Sequence, residues 1–142
     1  MDCLLGTVVA APVNAQTAPI VEVASVIKAA EGAAADVAVT VTCEAGLPAD
    51  VTVALNQRVG SKIASGSGVT GFLCTGQPQS ETVRVRAEGA PFKAGVAVLS
   101  GFLSVCVPDV GSCDSALLTT SPRRLTLGYP NLLITVMTLS WP

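Results

Sequence analysis

The stretch Val37-Ala38-Val39-Thr40-Val41-Thr42-Cys43 decides the fold class. Its apolar and polar side chains alternate with a period of two, which places one set on the inner face of a β-strand and the other on the outer face. Similar β-prone runs recur along the chain, and turn signals separate them at intervals of about 8–12 residues, as in antiparallel sandwiches. The remaining runs cover residues 19–28, 51–56, 69–74, 83–88 and 96–107, the last with a predicted bulge or bend at Ser100-Gly101.

Little of the chain favours a helix. Residues 29–35 have helical propensity, but their brevity and Gly32 predict a loop or a single turn. The sequence therefore predicts an all-β fold, an antiparallel immunoglobulin-like sandwich of about seven strands.

Four of the five cysteines, Cys43, Cys74, Cys106 and Cys113, lie among these runs, and the chain has no histidine. This pattern indicates structural disulfides of an exported protein. Four cysteines allow three pairings. We predict Cys106–Cys113, because the intervening Pro and Gly fold the chain back, and Cys43 then pairs with Cys74. Cysteine-type zinc sites usually contain close C-x2-C pairs, which are absent here, so we expect no metal site.

The start of the chain resembles an export signal. Residues 4–13 are largely apolar, and Val13-Asn14-Ala15 is typical of a signal-peptidase site, so we expect a signal peptide at 1–15 and a secreted or cell-surface protein. The apolar run is too short to span a membrane. A basic segment before it is missing, and we expect the natural leader to begin further upstream. The alternative is a buried N-terminal strand.

Composition excludes several classes of function. Eight basic and ten acidic residues give a net charge of −2, which argues against nucleic-acid binding. Without histidine, nucleophilic hydrolysis lacks its usual base, although Lys28, Lys62 and Lys93 could act as bases in principle. The acidic residues are scattered, so we expect neither an enzyme nor a cofactor. A single Trp and a single Tyr argue against carbohydrate stacking.

Two motifs have both a chemical and a structural interpretation. Gly66-Ser67-Gly68-Val69-Thr70-Gly71 matches the G-x-G-x-x-G pattern of dinucleotide sites, but no helix is predicted after it, which favours a flexible hairpin. Arg84 and Arg86 point to the same side of one strand. They could bind an anionic partner. The simpler interpretation is that they are solvated charges that discourage the strand from pairing with another chain.

Between residues 36 and 113 the chain contains the ordered set Val39-Thr40-Val41-Thr42-Cys43, Gln57-Arg58-Val59-Gly60, Ile63-Ala64-Ser65-Gly66-Ser67-Gly68, Cys74-Thr75-Gly76, Phe92-Lys93-Ala94-Gly95 and the loop from Cys106 to Cys113. In this set the chain resembles a group of small exported actinobacterial proteins. The resemblance implies an immunoglobulin-type sandwich with two disulfides and no activity that can be carried over. The short cysteine loop is also similar to one in neocarzinostatin-type apoproteins, sandwiches that carry enediyne chromophores in a cleft.

We therefore expect a sandwich domain at 16–120 and an atypical tail at 121–142, whose apolar run at 132–139 favours self-association. The predicted function is that of a secreted, non-catalytic structural or interaction module with a protein or cell-surface partner. The alternative is a carrier that holds an apolar small molecule in a sandwich cleft.

Overall fold

The computed structural model describes residues 18–127, most of which belong to eight β-strands. The all-β prediction is confirmed for this part of the chain. Between the first two strands lies a single 3-10 turn, Ala30–Gly32, where the sequence predicted a loop or one turn. The strands are β1 Ile20–Ala29, β2 Ala34–Thr42, β3 Pro48–Val59, β4 Lys62–Leu73, β5 Gln79–Arg86, β6 Glu88–Gly89, β7 Gly95–Val107 and β8 Ser112–Thr126.

The strands form one mixed sheet in the order β5-β2-β1-β8-β7-β3-β4-β6. Neighbours run antiparallel except β1 and β8, which pair in parallel at Val26↔Leu125 and Ile27↔Thr126. The strand count and the parallel pair differ from the antiparallel, seven-strand expectation. The extra strand, β6, has only two residues and therefore leaves no alternation in the sequence.

The two ends of the sheet approach each other and nearly close it. β6 follows β5 after a single residue and pairs with β4 at Ala64↔Gly89 and Ser65↔Glu88. β5 and β6, which are consecutive in the chain, therefore form the two opposite edges of the sheet. The result is a barrel-like sheet around a single core.

Every second side chain along the main strands points inward and fills the core, as the sequence pattern predicts. Val37, Val39 and Val41 are fully buried, whereas Thr40 and Thr42 between and after them are half-buried. Burial of a large aliphatic side chain contributes about 1.5–3 kcal/mol, so this set dominates the stability of the fold. The largest fully buried side chains are Phe92, Leu55, Leu99, Leu103, Leu125, Val37, Val39, Val41, Val51, Val53, Val83 and Val85.

The hairpin predicted at the G-x-G-x-x-G motif is wrong, because these residues lie inside β4. A Cβ at Gly66 would overlap the main-chain carbonyl of Arg86, and one at Gly68 would overlap that of Arg84. Thr70 Oγ1 continues this contact by donating to the carbonyl of Thr82 at 3.0 Å. The glycines therefore let β4 lie against β5 and help to close the sheet.

The sequence predicted a bulge or bend at Ser100-Gly101, but β7 is unbroken from Gly95 to Val107 and keeps its register with β3, so the bulge lies opposite, in β8. The register between β7 and β8 shifts between Leu99 and Gly101, where an extra residue of β8 is accommodated. Beyond it, Ser121 and Arg124 pair with β7, so the sheet extends past position 120, where we placed the end of the domain. The predicted signal peptide and the apolar run at 132–139 lie outside the described residues.

Candidate functional site

Both disulfides join the predicted partners. The Cys43–Cys74 bridge is buried and links the end of β2 to the end of β4, with its Cα atoms 5.4 Å apart. The Cys106–Cys113 bridge links paired residues of β7 and β8, with Cα atoms 4.0 Å apart. In the chain-entropy model, loops of these lengths contribute about 3.7 and about 2.5 kcal/mol respectively. Two such bridges indicate an oxidising environment outside the cytosol.

An apolar row crosses the outer side of four adjacent strands. Leu117 on β8 pairs with Phe102 on β7, Phe102 with Thr52 on β3, and Thr52 with Val69 on β4. Paired residues of an antiparallel ladder point to the same face, so these four side chains form a continuous line. Leu117 is 80% exposed, Val69 63% and Phe102 41%. The row is therefore an apolar surface that the described part of the chain leaves open to solvent.

The whole outer side of β8, β7, β3 and β4, which we call the apolar face, extends this row in both directions. Its charges include Asp50 and Arg58 on β3 and Arg124 on β8, which pairs with Val96; all three are exposed. Small polar side chains, among them Ser67 and Ser100, lie between its apolar ones. Clusters of exposed apolar side chains mark interaction sites. Seven exposed large apolar side chains lie on it: Ile63, Val69, Leu73, Val96, Val98, Phe102 and Leu117.

The outer side of β1, β2 and β5, which we call the polar face, differs in character. Its row runs from Glu22 through Thr40 to Ser80. A bidentate ion pair joins Arg84 Nε and Nη2 to the two carboxylate oxygens of Asp36 at 2.8 and 2.9 Å. The hydrogen bond from Arg84 lowers the pKa of Asp36, outweighing the opposing effect of burial. Arg84 is thus already engaged within the chain, which favours the solvated-face interpretation over the anionic partner.

A basic cleft opens at one end of the sheet, between the β3–β4 turn and the loop before β7. Its volume is about 670 Å³. Lys62 and Lys93, two of the lysines considered above as bases, both line it. The cleft thus combines an apolar lining with two cationic side chains. Its other lining residues are Val59, Ile63, Gly89, Ala90 and Pro91.

Gln57 positions one wall of this cleft. Its side chain is 4% exposed, and its Nε2 donates to the carbonyl of Lys93 at 2.7 Å. The amide N–H of Lys93 donates back to Gln57 Oε1 at 2.9 Å. These two bonds fix the backbone of the loop next to Phe92, which is 1% exposed and belongs to the core. The contact thus joins β3 to the loop before β7 across 36 positions of sequence.

The sequence analysis did not predict the positioning role of Gln57 or the existence of the apolar face, although a sequence feature indicates each of them. Gln57 continues the inward register of Val51, Val53 and Leu55, and a polar residue at a core position needs internal partners. In β7, residues of both parities are apolar around Val98, the pattern of a strand that is covered on both sides.

Within residues 18–127, no cluster of cysteine and acidic side chains has an arrangement that could hold a metal ion. The same residues contain no helix long and apolar enough to cross a membrane. Comparisons with protein-family models, with curated proteins and with solved structures found no match.

Proposed function

We propose that the chain is a non-catalytic interaction module that acts outside the cytosol and binds a polypeptide through the apolar face. The observation that carries this proposal is the exposed row Leu117–Phe102–Thr52–Val69. Its apolar side chains contribute little to the core, so their burial by a partner would release the hydrophobic free energy that the monomer does not use. The two disulfides support the compartment, and an immunoglobulin-like relationship remains part of this proposal.

The composition of the apolar face defines the partner's surface. Large apolar side chains with few charges require an apolar, nearly neutral counterpart, because burying an unmatched charge is costly. A protein surface satisfies this requirement, whereas nucleic acid and acidic polysaccharide do not. The interaction class in this proposal is therefore protein binding.

Site-specific photo-crosslinking tests this function. A benzoylphenylalanine in place of Phe102 should give protein adducts in the native medium, whereas the same group in place of Ser80, exposed on the polar face, should not. Adducts from Phe102 alone support the proposal. Equal labelling from both positions, or none from Phe102, would contradict it.

A second candidate function, a carrier of an apolar small molecule, is favoured by the basic cleft. The volume of about 670 Å³ falls within the usual range of small-molecule sites, about 300–1,000 Å³. Lys62 and Lys93 would favour a ligand with an apolar body and an anionic end. This ligand class is more specific than the apolar molecule expected from the sequence.

A fluorescent fatty acid and its neutral methyl ester provide the test for the carrier. We expect the acid to bind more tightly than the ester, and the double change Lys62→Gln with Lys93→Gln to remove that preference. Lys28→Gln, on β1 and outside the cleft lining, is the matched control and should leave it unchanged. Equal binding of acid and ester to the unaltered protein, or no binding of either, would exclude this candidate.

A further inference from the structure

We infer that the occupant of the apolar face is a second copy of the same chain, packed face to face about a two-fold axis that crosses the strands at Ala54. The inference rests on the proposed function of this face as a protein-binding surface. It goes further by naming the partner and the register of the contact.

The first argument is the arrangement of charge along β3. Asp50 and Arg58 both point outward, four positions to either side of Ala54. Consider a two-fold axis that lies in the plane of the interface and crosses the strands at the level of Ala54. It brings each outward residue of β3 opposite the residue of the second copy that lies equally far from Ala54 in the other direction along the strand. Asp50 then faces Arg58 of the second copy, and Arg58 faces Asp50 of the second copy. A single strand thus supplies two symmetric ion pairs.

The second argument is the size of the residues at the axis. Ala54 pairs with Ser67 on one side and with Ser100 on the other. This central row of small side chains permits the close approach of two sheets, about 10 Å apart, that face-to-face packing requires.

The third argument is the position of the apolar side chains relative to the axis. Phe102 and Val98 lie two positions to either side of Ser100 on β7, so the same operation places Phe102 against Val98 of the second copy. Leu117 similarly comes to face Pro122 of the second copy, because these residues pair with Phe102 and Val98 respectively. Apolar side chains thus meet on β7 and β8, whereas on β4 Val69 comes to face Ser65 of the second copy. Asp50, Arg58 and Arg124 lie towards the ends of the interface.

The dimensions of the face suit a small dimer interface. Along the curved sheet, four strands span about 19 Å and eleven residues about 33 Å, an outer area of about 600 Å². Because the sheet is nearly closed, its outer strands curve away from the axis, and each copy buries less than the roughly 800 Å² of an interface of standard size.

Charge reversal gives a test that depends on the proposed register. Asp50→Arg alone places Arg against Arg at both symmetric sites, and Arg58→Asp alone places Asp against Asp. Each variant should therefore weaken self-association at least tenfold in analytical ultracentrifugation, since facing like charges are strongly unfavourable. An equimolar mixture of the two variants should recover a dimer, because each Arg then faces an Asp. Both side chains are exposed, and circular dichroism checks that the variants fold.

The control is Glu22→Arg, an exposed charge reversal on the polar face, which should leave the dissociation constant unchanged. A protein that remains monomeric at millimolar concentration would overturn the inference. So would self-association that survives both single reversals, or a mixture that stays monomeric. A monomer that still forms adducts with a different protein from position 102 would overturn the dimer alone and leave the proposed function standing. Absence of adducts from that position would contradict both.

Discussion

The polar face and the apolar face are built from the same kind of alternating strand, yet their outward side chains differ. On the polar face the row Glu22–Thr40–Ser80 can be solvated, and the ion pair of Asp36 and Arg84 is satisfied within the chain. On the apolar face the corresponding row includes Phe102 and Leu117. Alternation determines which side chains point inward, but the chemistry of the outward set determines whether a face is suited to water or to a partner.

The charges of the two faces support the same distinction. Asp36 and Arg84 are cross-strand partners and neutralise each other locally. Asp50 and Arg58 lie eight positions apart on one strand, about 26 Å at 3.3 Å per residue, so they cannot contact each other. In the monomer each of these exposed charges is solvated singly, whereas the inferred dimer pairs both of them.

The largest expected effect is a loss of stability in the core. The same substitution, Leu to Ala, in the core and on the apolar face shows how the two regions differ. Leu103→Ala removes a fully buried side chain and should lower the free energy of unfolding by about 2–5 kcal/mol. Leu117→Ala removes a side chain that is 80% exposed and should change it by less than about 0.5 kcal/mol at dilutions where the chain is monomeric. Urea denaturation of both variants measures the difference. Equal losses would mean that Leu117 belongs to the core and that the face is not free for a partner.

An intermediate effect is expected where the two ends of the sheet meet. Gly68→Ala forces a Cβ into the carbonyl of Arg84 and should destabilise the fold by about 1–3 kcal/mol. Gly71→Ala, in the same strand, meets only an ordinary contact of 3.8 Å with the carbonyl of Ala49 and serves as the control. Thermal unfolding compares the two. If Gly68→Ala were as stable as Gly71→Ala, β4 and β5 would not be in close contact.

The smallest effect is expected on the polar face and depends on pH. Arg84 lowers the pKa of Asp36 in the folded state, so the ionised carboxylate stabilises the fold at pH values above the unfolded pKa, about 3.9. That contribution is lost as the pH falls through the lower, folded pKa. Asp36→Asn should therefore lose less stability than the unaltered protein between pH 5 and pH 2.

Melting temperatures across this pH range provide the measurement for Asp36. The difference will be modest, because the Arg84 side chain is 54% exposed and solvent screens the pair. Parallel curves for the two proteins would show that the ion pair makes no contribution to folding, and the polar face would then differ from the apolar face in composition alone.

Several features of the fold follow directly from local sequence. The valines of β2 alternate with polar residues over a full strand, so their inward orientation is encoded within seven residues. The short loop between Cys106 and Cys113 restricts the pairing, and Cys43 with Cys74 follows. Gly66 and Gly68 mark the opposite case, since their low β-propensity predicts a turn, but the closeness of Arg86 and Arg84 makes glycine necessary inside a strand.

The candidate sites depended on neighbours that are distant in sequence. Lys62 and Lys93 line one cleft although 31 positions separate them. Likewise, Val69, Thr52, Phe102 and Leu117 form one row only because β4, β3, β7 and β8 are adjacent in the sheet. The sequence of a single strand predicts whether each of these side chains points inward or outward. It does not predict which strands are neighbours in the sheet.

The sequence by itself determined the strand-rich fold class and the inward parity of the core, because both depend on periodicity, and the short loop from Cys106 to Cys113 favoured one of the three cysteine pairings. Only the tertiary structure decided the parallel contact of β1 with β8, the near closure at β4 and β5, and the assembly of the apolar face. The physical reason is that alternation is a local property of the chain, whereas strand order reflects the total burial and hydrogen bonding of the whole sheet.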